Sequence, residues 1–151
     1  TMARIVTAAE VDGEVPPLSH VPRTKRGVIS FAAKDVGERL NARALVAFTA
    51  SGDTARRVAR LRSRLPLLVF TPREEVRNQL ALTWGVQTFL TREVHTTDQI
   101  MGEVDRVLLA KDDYNPDDLV VIAAGSPPGI EGNTNMIHAH LLGQVFDAES
   151  K

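Results

Sequence analysis

The sequence predicts an α/β fold: a three-layer α/β/α sandwich around a five-stranded mixed sheet. Three observations carry this. Continuous apolar runs recur at ALVAFT (44–49), LLVFT (67–71) and LVVIAA (119–124), the pattern of strands buried on both faces. Segments of helical periodicity or with helix caps alternate with these runs, which favours a parallel sheet with right-handed crossovers and helices on both faces. The last apolar stretch, 136–142, follows the fourth strand through a loop too short for a parallel crossover, so it should run antiparallel. The expected spatial order is 3-2-1-4-5.

Taken in order, Met2 to Glu10 reads as a short helix with Met2, Ile5, Val6 and Ala9 on one stripe, marginal unless something packs against it. Residues 11–25, with Gly13, Pro16, Pro17 and Pro22, have the chemistry of an extended linker. The main domain spans 26–145. It opens with an amphipathic helix over 27–40, with Val28, Ile29, Ala32, Ala33, Val36 and Leu40 at three- and four-residue steps. After the first strand, a helix over 54–64 places Ala55, Val58, Leu61 and Leu65 inward and its arginines outward. Thr71-Pro72-Arg73-Glu74 is a capping box with proline at the first helical position, opening a helix that runs to about Trp84 and stops at Gly85. A short third strand covers 86–90. Thr96 and Gln99 form a second capping box at the head of a helix to about Lys111. Residues 146–151 are a polar tail.

The 151 residues suit one domain of ordinary size that needs no disulfide or metal staple. With 43% hydrophobic and 25% charged residues the profile is that of a soluble globular protein. The absence of cysteine excludes thiolate metal sites and cysteine nucleophiles, and suits the cytoplasm. A net charge of -1 gives no global attraction to nucleic acid or anionic lipid. Arg56, Arg57, Arg60, Arg62 and Arg64 make a local basic run, but aromatics are not interleaved and Glu74 and Glu75 follow, so a solvated or intersubunit face is expected there. No apolar run has the length of a membrane span, and the first ten residues lack the apolar core of a signal peptide.

The strongest chemical signal is Thr49-Ala50-Ser51-Gly52-Asp53-Thr54, where a buried strand passes into a helix. Ligands of open α/β sheets bind outside the carboxyl ends of strands, and a helix N-terminus offers free N–H groups and partial positive charge. Thr49, Ser51 and Thr54 add hydroxyl donors, and Gly52 allows close approach to the backbone. This is phosphate-cradle chemistry without the glycine spacing or lysine of a P-loop. The same residues would equally serve as a simple helix cap. The glycine- and proline-rich loop 125–135 leaves the same sheet edge and can either close over the cradle or merely connect two strands. His138 and His140 form an H-x-H on the last strand, facing one side, but no third ligand is signalled, so no metal site is assigned and both are expected on a solvent or subunit face. No nucleophile–base–acid set is visible, so no catalytic residue is assigned.

In colinear order the chain carries T-x-S-G-x-T-A-R (49–56), P-L-L-V-F-T-P (66–72), Q-L-A-L-T-W-G-V (79–86), D-L-V-V-I-A-A-G (118–125) and G-N-T-N (132–135). These motifs closely resemble the C-terminal domain of bacterial-type pyruvate kinases, over roughly residues 29–143. Residues 1–10 look like the last helix of that family's catalytic barrel, which implies a fragment. The resemblance implies a regulatory and subunit-interface domain of an enzyme that converts phosphoenolpyruvate and ADP to pyruvate and ATP. Magnesium and potassium would belong to the parent enzyme's barrel, with no cofactor in this fragment, and the fragment alone should be inactive. An effector phosphate would sit on Thr49, Ser51, Gly52, Asp53 and Thr54, under a lid formed by Gly129, Ile130, Glu131 and Gly132. Family members activated by fructose 1,6-bisphosphate often have basic residues in the turn, where Ala50 and Asp53 stand here, and can use a tryptophan and an arginine before the last helix, where 93–101 has neither. AMP or a sugar monophosphate is therefore the favoured effector. The expected partners are the barrel and the sister subunits of a homotetramer. Two other readings are a free-standing phosphometabolite-binding module of the same fold and a metal hydrolase built on the two histidines.

Overall fold

Runs of apolar, largely β-branched and aromatic residues pair here into one five-stranded sheet of order β3-β2-β1-β4-β5. The structure, a computed structural model, describes residues 22–83, 85–130 and 132–144. The expected helix at 2–10, most of the linker, Trp84, Glu131 and the tail lie outside the described residues. The strands are β1 (Ala44–Phe48), β2 (Leu67–Thr71), β3 (Val86–Leu90), β4 (Leu119–Gly125) and β5 (Thr134–Leu141). The helices are α1 (Lys25–Arg39), α2 (Asp53–Arg60), α3 (Glu74–Leu80) and α4 (Thr97–Leu109). β1 pairs in parallel with β2 and β4, β2 with β3, and β5 runs antiparallel to β4, as the short connection requires.

Alternation along the strands divides the core between the two faces. Leu45, Ala47, Leu67, Val69, Val121 and Ala123 pack beneath Ala33 of α1, Ala55 and Val58 of α2, and Val76 and Leu80 of α3. Val46, Phe48, Leu68, Phe70, Val120 and Ile122 pack beneath Ile100, Val104 and Leu108 of α4. On that second face Phe48, Phe70 and Phe89 stack across three adjacent strands, with centroids 6.2 and 5.1 Å apart.

Local chemistry sets the helix limits, and three of them differ from expectation: α2 ends at Arg60 and not Arg64, α3 ends at Leu80 and not near Trp84, and α3 begins two residues late. The Thr24 side chain caps α1 by accepting from Gly27 N. The buried stripe of α1 is Ser30, Ala33 and Gly37, while Val28 and Leu40 are exposed. Hydrophobicity alone does not report how close a helix must come: a methyl group at Gly37 would collide with Leu45. α2 ends at Arg60 because Arg62 takes a left-handed φ of 52°. α3 begins at Glu74, not at Pro72, since Thr71 Oγ1 accepts from Arg73 N in a tight turn of its own. The α4 box forms with a one-residue offset: Thr96 accepts from Gln99 N, and the Gln99 side chain accepts from His95 N at 2.7 Å.

Replacing Gly37 with valine should therefore lower stability by about 1–3 kcal/mol through overpacking against Leu45. Urea denaturation of the two proteins checks this; an unchanged midpoint would mean that α1 can move off the sheet without penalty.

Candidate functional site

β1 delivers the chain to the carboxyl edge of the sheet at Phe48. The next six residues then build a turn whose side chains hold its own backbone. Thr49 Oγ1 accepts from Gly52 N at 2.9 Å and Ser51 Oγ accepts from Asp53 N at 3.3 Å. Each hydroxyl used as an acceptor keeps its own O–H to donate. Gly52 stands at the α2 N-cap with φ 90°, and a methyl group there would meet the Arg56 guanidinium at 3.0–3.2 Å. The Thr54 hydroxyl bonds the Thr134 hydroxyl at the start of β5, both buried, which joins the cradle to the far end of the lid loop.

The lid is fastened at its neck. Ser126 N donates to Asn135 Oδ1 at 2.8 Å, and Ser126 O accepts from Asn135 Nδ2 at 2.9 Å and from Asn133 Nδ2 at 3.3 Å. The register shift between Ala124 and Gly125 in the β4–β5 ladder lies beside these bonds. From this neck Pro128, Gly129, Ile130 and Gly132 reach over the turn; Ile130 is 56% exposed. Glu131 lies outside the described residues.

Turn and lid enclose a cavity of about 240 Å³ whose walls include Thr49, Ser51 and Thr54 from the cradle. Its remaining walls come from residues after the carboxyl ends of β2 and β3: Pro72 and Arg73, then Glu93, Val94 and His95, with Ile100 of α4 behind them. Sequence reasoning missed this half. The rule that ligands gather at the carboxyl ends of parallel strands applies to β2 and β3 as much as to β1 and could have found Arg73 and Glu93. The Glu93–His95 wall is fastened through its neighbour: Arg92 N donates to Glu103 Oε2 at 3.4 Å, and Arg106 holds the same carboxylate at 2.8 Å.

Asp53 does not share the cavity. Its Oδ2 meets Arg57 Nε, one turn further along α2, at 2.9 Å and Arg26 Nη1 of α1 at 3.2 Å. Two arginines balance its charge, so the repulsion of a second phosphate assigned to it from sequence is largely cancelled. The arginine run is likewise drawn into the fold in part: Arg56 donates to Ser51 O, and Arg64 donates to Glu38 O.

The two histidines separate in role. His140 is 2% exposed and its Nε2 lies 2.8 Å from Asp105 Oδ1 on α4, so the expectation of a solvent or subunit face is corrected for this residue. An edge strand covered on one face by a helix buries half of its side chains, and one histidine can be accommodated there when a carboxylate meets it. His138 is lowered by burial first and then by its neighbour His140. No group of three or more histidine or carboxylate side chains among the described residues could hold a metal ion. No helix among the described residues is long and apolar enough to cross a membrane.

The chain is a doubly wound α/β domain with a hydroxyl-lined cavity at the carboxyl edge of its sheet. Residues 28–140 match the family described as the pyruvate kinase alpha/beta domain, and the chain belongs to that family. It is 69% identical over 144 residues to the pyruvate kinase of Corynebacterium efficiens, covering 95% of this chain and 30% of that protein. It is 57% identical over 145 residues to that of Mycobacterium tuberculosis strain H37Rv, covering 95% of this chain and 31% of that protein. It is 33% identical to pyruvate kinase 2 of Synechocystis, covering 96% of this chain and 25% of that protein. The chain thus spans about a third or less of the length of the curated relatives it matches.

Two outcomes follow from the site's internal bonding. Thr54→Val should cost about 1–3 kcal/mol by leaving the buried Thr134 hydroxyl without its partner; a Thr54→Val, Thr134→Val double variant that is no more stable than the single one in chemical denaturation would count against that pairing. The Glu103 carboxyl is held below its ordinary value of 4.5, first by its hydrogen bond to Arg106 and against burial. A depressed carboxyl contributes stability that is complete above 4.5 and is lost as the pH falls through the folded value. Stability measured against pH should therefore decline below that point less steeply in Glu103→Gln than in the parent chain.

Proposed function

We propose that the domain is the regulatory and subunit-contact part of a pyruvate kinase, and that its cavity binds a phosphorylated effector. The observation that carries this is the turn 49–54, where Thr49 and Ser51 accept from the turn's own N–H groups and so keep their own O–H groups to donate, beside a helix N-terminus. An effector phosphate there would gain several charge-assisted hydrogen bonds, each worth roughly 1.5–3 kcal/mol. Gly129, Ile130 and Gly132 then act as the lid, with Glu131 between them.

A monophosphate, AMP or a sugar monophosphate, is the favoured class, on grounds that differ from those the sequence offers. The cancelled charge of Asp53 no longer weighs against a second phosphate. Glu93 does, since it stands in the far wall where a second phosphate would reach. Val94, Ile100, Pro72 and Ile130 supply apolar surface for a ring.

The parent enzyme would transfer a phosphoryl group from phosphoenolpyruvate to ADP, with its magnesium and potassium held outside this domain. Effector capture would bias subunit packing and so the distant active site. Support for a subunit-contact role comes from the outer face of α1, where Val28 and Phe31 are 46% and 38% exposed, and from β5, which forms one edge of the sheet.

Calorimetric titration of AMP, glucose 6-phosphate and fructose 1,6-bisphosphate tests the site. One monophosphate should bind, Ser51→Ala should weaken it about tenfold, and Glu93→Lys should strengthen the bisphosphate more than either monophosphate. Failure of all three ligands to bind would overturn the effector reading, and equal affinities in parent and Ser51→Ala would leave the turn as a helix cap. The purified chain should also give no pyruvate from phosphoenolpyruvate and ADP; turnover by the chain itself would contradict a purely regulatory role.

A further inference from the structure

Two histidines of the edge strand β5 stand over α4. In the antiparallel ladder His140 lies opposite Val120 and His138 opposite Ile122. Both partners belong to the core beneath α4, so both imidazoles are on that helix's side of the sheet. His140 is buried, and its Nε2 lies 2.8 Å from Oδ1 of the equally buried Asp105. An ionised carboxylate only accepts, so the proton of this bond is on Nε2. Asp105 Oδ2 is also shut away from solvent, and no hydrogen-bond partner meets it among the described residues. His138 is half-buried, with its ring centroid 5.8 Å from that of His140.

We propose that His138, His140 and Asp105 form an acid-sensitive latch between β5 and α4, closed while at most one imidazole is charged and released when both are. Counting charges in this nearly dry site gives the reason. With His140 neutral, Asp105 keeps a negative charge whose second oxygen is bare, which costs free energy. A proton on His140 balances that charge and leaves the hydrogen bond in place. A further proton on His138 sets two positive charges against one negative. No neighbouring element among the described residues supplies the missing carboxylate. β4 offers Val120 and Ile122. On α4, Glu103 and Arg106 bind each other. Tyr114 packs into the same core under Arg43, which also meets Asp118. α1 lies against the other face of the sheet, and its Lys34 and Glu38 pair together. His138 is lowered from 6.5 by burial first and then by His140, in keeping with this count. A histidine lowered on folding contributes stability that is complete above 6.5 and declines as the pH falls below it. β5 has a single neighbour in the sheet, so it is the element that yields. The latch does not depend on what the cavity binds.

The experiment follows the labelled chain from about pH 8 to about pH 5, by urea denaturation and by NMR of histidine rings and backbone amides. Glu103 does not interfere, since its contribution is complete above 4.5. The variants are His138→Gln and His140→Gln. With falling pH the parent should lose stability faster than His138→Gln, by up to about tenfold in the folding equilibrium per pH unit, the most that one proton contributes. Over the same range, amide signals of 101–108 and 134–141 should shift or broaden together in the parent and stay in place in His138→Gln. In His140→Gln the His138 ring should take its proton at a higher pH than in the parent, because the neighbouring charge is gone. Burial of His138 alone would leave that midpoint unmoved. An unmoved midpoint, a decline as steep or steeper in His138→Gln, or undisturbed amides in the acidified parent would overturn the latch. If His140→Gln does not fold, the amide comparison between the parent and His138→Gln decides.

Discussion

At Gly52 the chain passes from the carboxyl end of β1 into α2 through a φ of 90°, and the rest of the site depends on that turn. A residue with a side chain would meet both the left-handed backbone and the Arg56 guanidinium. Because the turn is tight, Thr49 and Ser51 can satisfy its amides from within. The turn is therefore held in shape by its own hydroxyls, and the protons of those hydroxyls are left for something else. β1 lies between β2 and β4 and is buried along its whole length, so the turn starts from a firmly held strand. The lid starts from the end of its neighbour β4 and returns along β5, which places the Thr134 hydroxyl against Thr54. Cradle and lid are thus two ends of one hydrogen-bonded unit.

The division of charge around this unit separates the cavity wall from the groups that support the turn. Asp53 stands behind the turn with Arg57 and Arg26, whose two positive charges outweigh its one negative charge. Arg73, Glu93 and His95 stand in front of it, in the cavity wall. A ligand entering the cavity therefore meets hydroxyls at one end and a mixed-charge wall at the other. Arg73 and Glu93 come from loops after different strands, so the far wall can be retuned by substitution without touching the cradle. The Glu103 carboxylate links that wall to α4, through Arg92 N and Arg106, and acid weakens this link.

Most of the architecture was legible because it rests on patterns that burial imposes directly. The runs at 44–49, 67–71 and 119–124 are strands buried on both faces, and the short 125–133 connection forces the antiparallel edge. The turn at 49–54 was legible as a hydroxyl-rich junction between a buried strand and a helix, and its hydroxyls do accept from the turn's own amides. What escaped the sequence depends on contacts between segments far apart in it. The burial of His140 needs Asp105, 35 positions away. The neutralisation of Asp53 needs Arg26, 27 positions away. The small-residue stripe of α1 is chosen by the closeness of Leu45, and the chain alone does not state that distance. In each case the residue type was visible, and the partner that decides its role was not.

We propose that the turn at 49–54 and the loop at 129–132 form one ligand site. The most direct measurement is amide NMR of the labelled chain titrated with a phosphate monoester such as AMP. The largest shifts should fall together on residues 49–54, 93–95 and 129–132 and saturate along a single isotherm. Saturable shifts centred elsewhere, for example on 138–142, with 49–54 unmoved, would contradict it.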